Sequence, residues 1–126
     1  MTSLLLTSPA ADLSFAQAPI LDTAVRIYLG RGIPSGGVVT DAQLEDFVDS
    51  TVAYLFPDGF TVTQGQGGWA DVATCETIQE PSVIVEVVVN WASQKDRVRA
   101  LATAWKSKWA QDAVMVTRSA VSVDFI

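Results

Sequence analysis

The sequence predicts an α+β fold in which two helices cover one face of a four-stranded antiparallel sheet. The first observation behind this prediction is Ser82 to Val89, S-V-I-V-E-V-V-V, which is apolar on both faces of a strand except at Glu86. The second is the order of the hydrophobic patterns: strand, helix, strand, strand, helix, strand. This β-α-β-β-α-β order is that of the ferredoxin-like fold, in which the first and third strands are central.

The first strand is predicted at Thr23 to Gly30, where Val25, Ile27 and Leu29 alternate with Arg26 and Tyr28. The glycine-rich run Gly30 to Gly37 follows, and we interpret it as a connection between strand and helix. Thr40 and Gln43 form a capping-box signature for a helix over Asp41 to Phe56. Its apolar stripe is Leu44, Phe47, Val48, Val52 and Leu55.

The second half of the chain supplies the remaining elements. A short strand is predicted at Phe60 to Gln64, and Val72 to Pro81 is predicted to be a loop or an irregular strand. Asn90 or Ser93 can cap a helix that runs to about Gln111. A last strand is predicted from Ala113 to Ser119. The inner stripe of the second helix is Val98, Leu101, Ala102, Trp105 and Trp109.

Composition excludes several classes of function. The formal net charge of −6 argues against nucleic acid and anionic membranes as partners and is compatible with a small cationic ligand. The chain has no histidine and a single cysteine, Cys75, so His-dependent catalytic triads and His-containing zinc sites are excluded. We therefore expect no cofactor and no metal, and the single cysteine favours a reducing compartment.

Residues 1–22 are predicted to be an N-terminal arm that precedes one domain over residues 23–126. The arm contains no Lys or Arg, and its apolar run is too short for a signal peptide or a spanning helix, so we expect a cytoplasmic protein. Leu4 to Leu6, Phe15 and Ile20 could lie against the domain or a neighbouring subunit. A loose tail is an equally good interpretation.

Two resemblances to known families rest on particular motifs. The run R-I-Y-L-G-R-G-I-P-S-G-G, followed by F-P-D-G-F-T-V, G-Q-G-G-W and E-P-S, resembles a family of small bacterial domains of unknown function. A fainter resemblance is to the phage-encoded S-adenosylmethionine lyases, formerly called hydrolases. It rests on G-G-W at Gly67 to Trp69, on Glu80 eleven residues later, and on W-A-Q-D-A-V-M-V-T-R-S from Trp109 to Ser119.

The lyase resemblance implies a reaction and a site. In those enzymes a tyrosine stands where Trp69 is, a catalytic glutamate stands where Glu80 is, and substrate binds between the subunits of a trimer. The resemblance implies that S-adenosylmethionine is cleaved to methylthioadenosine and homoserine lactone. The phenol is replaced here, although Trp69 can still stack on a sulfonium. The predicted substrate-binding residues are Gly67, Gly68, Trp69, Tyr28, Thr117 and Ser119, with Glu80 as the catalytic residue.

Other interpretations of the same residues stay open. Glu80 beside Pro81 can be an exposed loop acid, and Trp69 can be a core or interface aromatic. The protein can then be a non-catalytic ligand-binding or regulatory oligomer, or a structural, virion-associated subunit. In each case the strand Ser82 to Val89, which is apolar on both faces, favours a homo-oligomer that buries the sheet face opposite the helices, and a trimer is the expected form. Glu86 in that strand needs a polar neighbour, and Arg26 is the candidate.

Overall fold

The computed structural model describes residues 20–126, and most of the predicted N-terminal arm lies outside this range. The described chain forms one four-stranded antiparallel sheet in the spatial order β2-β3-β1-β4. The strands are β1 (Thr23–Gly30), β2 (Thr61–Asp71), β3 (Glu76–Val89) and β4 (Met115–Ala120). The element order is β-α-β-β-α-β, as the sequence predicts, and β1 and β3 are the central strands.

The first helix, α1, is continuous over residues 41–55. It consists of Asp41–Phe47, a π-helical stretch at Val48–Val52 and a final turn at Ala53–Leu55. The predicted capping box is present: the Gln43 amide donates to the Thr40 hydroxyl, and the Thr40 amide donates to the Gln43 side chain. The second helix, α2, spans Trp91–Trp109, and Asn90 rather than Ser93 caps it by accepting from the Ser93 amide.

Both helices pack on the same face of the sheet. The apolar core combines alternate residues of β1 and β3 with the inner stripes of the two helices, because successive strand residues point to opposite faces. At its centre Trp105 packs edge-on against Phe47, with ring centroids 4.9 Å apart. The buried strand residues are Val25, Ile27, Leu29, Val83, Val85, Val87 and Val89, and the buried helix residues are Leu44, Phe47, Val52, Val98, Leu101 and Trp105.

The region between α1 and the central strand differs from the prediction. The predicted short strand extends to Asp71. The segment Val72 to Pro81, predicted to be a loop or an irregular strand, is a turn up to Cys75 and belongs to β3 from Glu76 onward. The prediction failed because three glycines, Gly65, Gly67 and Gly68, interrupt the strand pattern. Continuous pairing with β3, from Thr61↔Glu86 to Asp71↔Glu76, holds these glycines in the sheet. The turn of this hairpin contains Cys75, which is exposed and has a positive φ of 60°.

The face of the sheet opposite the helices is open in the described chain. We call it the open face; it carries the even-numbered residues of β1 and β3 and the odd-numbered residues of β2 and β4. Its central ion pair is the predicted one, since the Arg26 guanidinium donates to the Glu86 carboxylate at 3.2 Å. Among the described residues, no helix is long and apolar enough to cross a membrane.

Candidate functional site

The strand register brings Glu80, Gly67 and Trp69 together on the open face. Gly67 lies directly opposite Glu80, and Trp69 lies opposite Ile78, so that Trp69 is the diagonal neighbour of Glu80. Gly68 pairs with Gln79 and therefore belongs to the other face. The Trp69 side chain is half exposed, which leaves one flat aromatic surface accessible beside the carboxylate.

The other side of Glu80 is formed by the end of β1 and the residues that follow it. Gly30 pairs with Ser82, and the Arg31 amide donates to the Pro81 carbonyl at 2.9 Å, so the chain continues beside β3 as far as Gly32. A Cβ atom on Gly30 would lie 2.6 Å from Glu80 Oε1, and one on Gly32 would overlap Glu80 Oε2. The carboxylate therefore lies directly against two glycine backbones, and a larger residue at either position would require the carboxylate to move.

Side chains from α2 and the chain after it hold this glycine backbone in place. Trp105 Nε1 donates to the Gly30 carbonyl at 3.0 Å. Gln111 Nε2 donates to the Gly30 carbonyl at 2.7 Å and to the Gly32 carbonyl at 3.0 Å. Because three hydrogen bonds fix two carbonyls, the strand end beside Glu80 is held from the core side.

Arg31 anchors the same segment to the start of α1. Its side chain is 8 % exposed and donates from Nε and Nη2 to the Val39 carbonyl and from Nη2 to the Asp41 carboxylate at 2.8 Å. The glycine-rich run does connect β1 to α1, as predicted, and it also supplies Gly32 to the site. Gly30, Gly32 and Gln111 were not predicted to belong to this site. The signal was the spacing G-R-G at the end of a central strand.

The Glu80 carboxylate is half-buried, and no hydrogen bond or ion pair to it is formed by residues 20–126. Its nearest groups are glycine backbones rather than cations. An unpaired carboxylate beside an accessible aromatic ring is suited to a positively charged ligand, because the ring face and the carboxylate both attract cations. The part of the chain that the structure describes contains no cluster of three acidic or cysteine residues able to hold a metal.

The remaining predicted residues lie farther along the open face. Tyr28 pairs with Ile84, four residues from Glu80 along β3, a separation of about 13 Å at the rise of a β-strand. Thr117 lies opposite Arg26, and Ser119 lies opposite Ala24. Within one chain these two residues are therefore about 20 Å or more from Glu80. The structure brings Glu80, Gly67 and Trp69 together, and it does not bring Thr117 and Ser119 to them.

The fold and this site define a small α+β domain with a carboxylate and an aromatic ring on an uncovered sheet face. Residues 24–125 match the family described as "Protein of unknown function (DUF3574)", and the chain belongs to that family. No curated protein sequence matches the chain.

Two solved structures of a phage SAM lyase are similar to this chain. In the complex with S-methyl-5'-thioadenosine, the match has a TM-score of 0.60 at 16 % identity and covers 79 % of this chain and 81 % of the lyase. In the apo state, the TM-score is 0.57 at 16 % identity, with 82 % of this chain and 91 % of the lyase covered. At this identity the likeness shows a shared fold.

Proposed function

We propose that the protein binds S-adenosylmethionine beside Glu80 and cleaves it to methylthioadenosine and homoserine lactone. The observation that carries this proposal is the Glu80 carboxylate, which lies against Gly30 and Gly32, opposite Gly67 and diagonal to Trp69, without a cationic partner among the described residues. The shared fold with a phage SAM lyase supports the choice of substrate.

The proposed reaction requires little acid–base catalysis from the protein. The substrate's carboxylate attacks its own γ-carbon, the bond from that carbon to the sulfonium sulfur breaks, and the sulfur keeps the electron pair. No proton is gained or lost overall. The protein must therefore hold the amino-acid portion folded toward the sulfonium, and positioning of this kind can supply a large part of a rate enhancement.

The roles of individual residues follow from their chemistry. The Glu80 carboxylate attracts the ammonium or the sulfonium of the substrate. The Trp69 ring stacks on the adenine or lies against the sulfonium. Gly67 has no side chain, so the substrate can approach the backbone of β2 closely. A Cβ there would make only ordinary contacts, with the nearest atom, the Glu80 carbonyl oxygen, at 3.7 Å.

We further propose that the site is completed in a homotrimer that buries the open face. This face carries the half-buried or exposed apolar side chains of Tyr28, Ile84, Val88 and Met115. A second subunit packed there would cover them and could bring its own Thr117 and Ser119 hydroxyls to the Glu80 end of its neighbour. Such a homo-oligomer in the cytoplasm needs no cofactor for the proposed reaction.

The direct test is incubation of the purified protein with S-adenosylmethionine, followed by chromatographic detection of methylthioadenosine. Wild type is expected to form it and Glu80→Gln to lose at least about ten-fold in rate while melting at nearly the same temperature. A similar rate in Glu80→Gln would remove Glu80 from the mechanism. Absence of methylthioadenosine with wild type would reject the lyase activity.

A second candidate function is binding of the same ligand without turnover. It is favoured by Trp69, which has no phenolic hydroxyl where the lyases that the sequence resembles have one. Wild type distinguishes the two, because a lyase forms methylthioadenosine whereas a protein that only binds forms no product. In the second case Trp69→Tyr tests the reason, since turnover should appear if the missing hydroxyl is what prevents it. If neither wild type nor this variant binds the ligand, a structural role is the remaining interpretation.

A further inference from the structure

A cavity lies at the other end of the sheet from Glu80. It has a volume of about 460 Å³, is open to solvent, and is lined by the segment between α1 and β2, the end of β3, the first turns of α2 and the C-terminal residues. Its apolar walls include Phe56, Phe60, Val88 and Phe125. Both the volume and the mainly apolar lining are those of a small-molecule site.

The end of β3 carries backbone groups at the wall of this cavity that no backbone group of residues 20–126 pairs with. The Asp22 amide donates to the Val89 carbonyl, so odd-numbered residues of β3 direct their backbone groups toward β1 and even-numbered residues toward β2. The first residue of β2, Thr61, lies opposite Glu86. Because the two strands are antiparallel, β2 has no residue opposite Val88. The amide and carbonyl of Val88 therefore face the cavity beyond the first residue of β2.

Arg97 supplies a positive charge at the wall. Its Nη1 donates weakly to the Leu55 carbonyl at 3.4 Å, which leaves the other guanidinium donors available. Within residues 20–126, no carboxylate lies within ion-pair distance of Arg97. By contrast, the neighbouring Arg99 lies 3.6 Å from the Asp96 carboxylate.

Two acidic residues also line the cavity, and within residues 20–126 neither forms an ion pair with Arg97. Glu86 is already paired with Arg26 on the open face at 3.2 Å. Asp58 is exposed in the turn between α1 and β2, where water screens its charge. Arg97 is the one basic residue among the described residues that line the cavity, and its single contact to the Leu55 carbonyl leaves donors for a ligand.

We propose that this cavity is a second binding site, for a small organic anion with an apolar body. The apolar portion fills the space between Phe56, Phe60 and Phe125, and the carboxylate or sulfonate group accepts hydrogen bonds from the Arg97 guanidinium in a bidentate arrangement. The Val88 amide offers a further donor. This site is separate from Glu80, and the proposal does not depend on lyase activity.

The test uses anilinonaphthalene sulfonate, an aromatic sulfonate whose fluorescence rises in apolar surroundings, with the full-length protein. We expect saturable binding at one site, weakened at least about ten-fold in Arg97→Gln and unchanged in Arg99→Gln. Octanoate should displace the probe at least about ten-fold more effectively than octanol, which has the same chain length without the charge. Both arginines are exposed, so both variants are expected to melt like wild type.

Three results would overturn the proposal. One is a lack of saturable binding of the probe to wild type. Another is equal weakening in Arg97→Gln and Arg99→Gln, which would indicate general electrostatic attraction. The third is equal displacement by octanoate and octanol, which would indicate an apolar surface that does not recognise an anion.

Discussion

The position of the Glu80 carboxylate depends on glycine at the neighbouring positions, because a side chain there would occupy the same space. A Cβ atom on Gly30 or Gly32 would occupy the space of the Glu80 carboxylate, and Gly67 lies opposite Glu80 on the other side. Trp105 and Gln111 then fix the glycine carbonyls from the core side. An acid held in this way is positioned by backbone geometry, so small changes in the glycines should move it.

Gly32→Ala is expected to displace the Glu80 side chain, because the new Cβ would overlap Oε2. We expect a loss of S-adenosylmethionine affinity of about ten-fold with only a small change in melting temperature, because the Glu80 side chain is flexible and can move away from the new Cβ. Gly65→Ala is the matched control, since its Cβ would lie 3.4 Å from the Ser82 hydroxyl, near ordinary contact. Calorimetric titration and melting curves measure both effects. Unchanged affinity in Gly32→Ala would separate Glu80 from ligand binding.

Trp69→Ala tests the aromatic side of the site. The ring is half exposed on the open face, so its removal should leave the melting temperature nearly unchanged. Loss of stacking or cation–π contact, worth on the order of 1–2 kcal/mol, should weaken S-adenosylmethionine by about ten-fold. If the variant melts at a much lower temperature but binds S-adenosylmethionine with unchanged affinity, Trp69 has a structural role.

Among the elements, the two helices and the central strands were predicted well because their patterns are local. The bounds of β1 agree with the prediction, as do the capping box of α1 and the buried stripe of α2 at Val98, Leu101 and Trp105. The full length of the β2–β3 hairpin was not predicted, because glycine has a low strand propensity. Pairing with β3 nevertheless keeps the glycines of β2 in the sheet. Of the predicted site residues, Glu80, Gly67 and Trp69 lie close together. Which residues become neighbours depends on the register between strands, and the sequence pattern alone did not predict that register.

Asp22 links β1 to the start of α2 and gives this connection a pH dependence. Its carboxylate accepts from the Thr23 hydroxyl at 2.7 Å and from the Trp91 amide at 3.1 Å. These hydrogen bonds, that from Thr23 first, lower the pKa of Asp22 below its ordinary value of 3.8. A lowered pKa contributes stability that is complete above the unfolded value and is lost as pH falls through the folded value.

Asp22→Asn should therefore melt at a lower temperature than wild type at neutral pH. The difference should stay constant down to about pH 5 and shrink as pH falls below 3.8, where the wild-type carboxyl becomes protonated. Melting curves across this range measure it, with Asp124→Asn as a control in the C-terminal segment. A difference that grows on acidification would contradict the assigned sign.

At the scale of the whole molecule, the open face is the surface through which we propose that subunits associate. Val88 and Met115 are exposed there, while Arg26 and Glu86 pair across its centre. We expect light scattering at micromolar concentration to give three times the chain mass. Ile84→Asp should shift this mass toward the monomer, because the substitution places an unpaired charge in the proposed interface. A monomeric wild type would contradict the trimer and require a site complete within one chain.

The central claim is that Glu80 recognises a positive charge, and a comparison of two ligands tests it most directly. S-Adenosylhomocysteine lacks the methyl group and the sulfonium charge of S-adenosylmethionine but keeps its ammonium and carboxylate. In calorimetric titrations, Glu80→Gln is expected to bind S-adenosylmethionine about ten-fold more weakly than wild type at an unchanged melting temperature. A smaller loss for S-adenosylhomocysteine would assign the carboxylate to the sulfonium, and an equal loss would assign it to the ammonium. Unchanged affinity for both ligands in Glu80→Gln, or no binding of either ligand to wild type, would contradict this account.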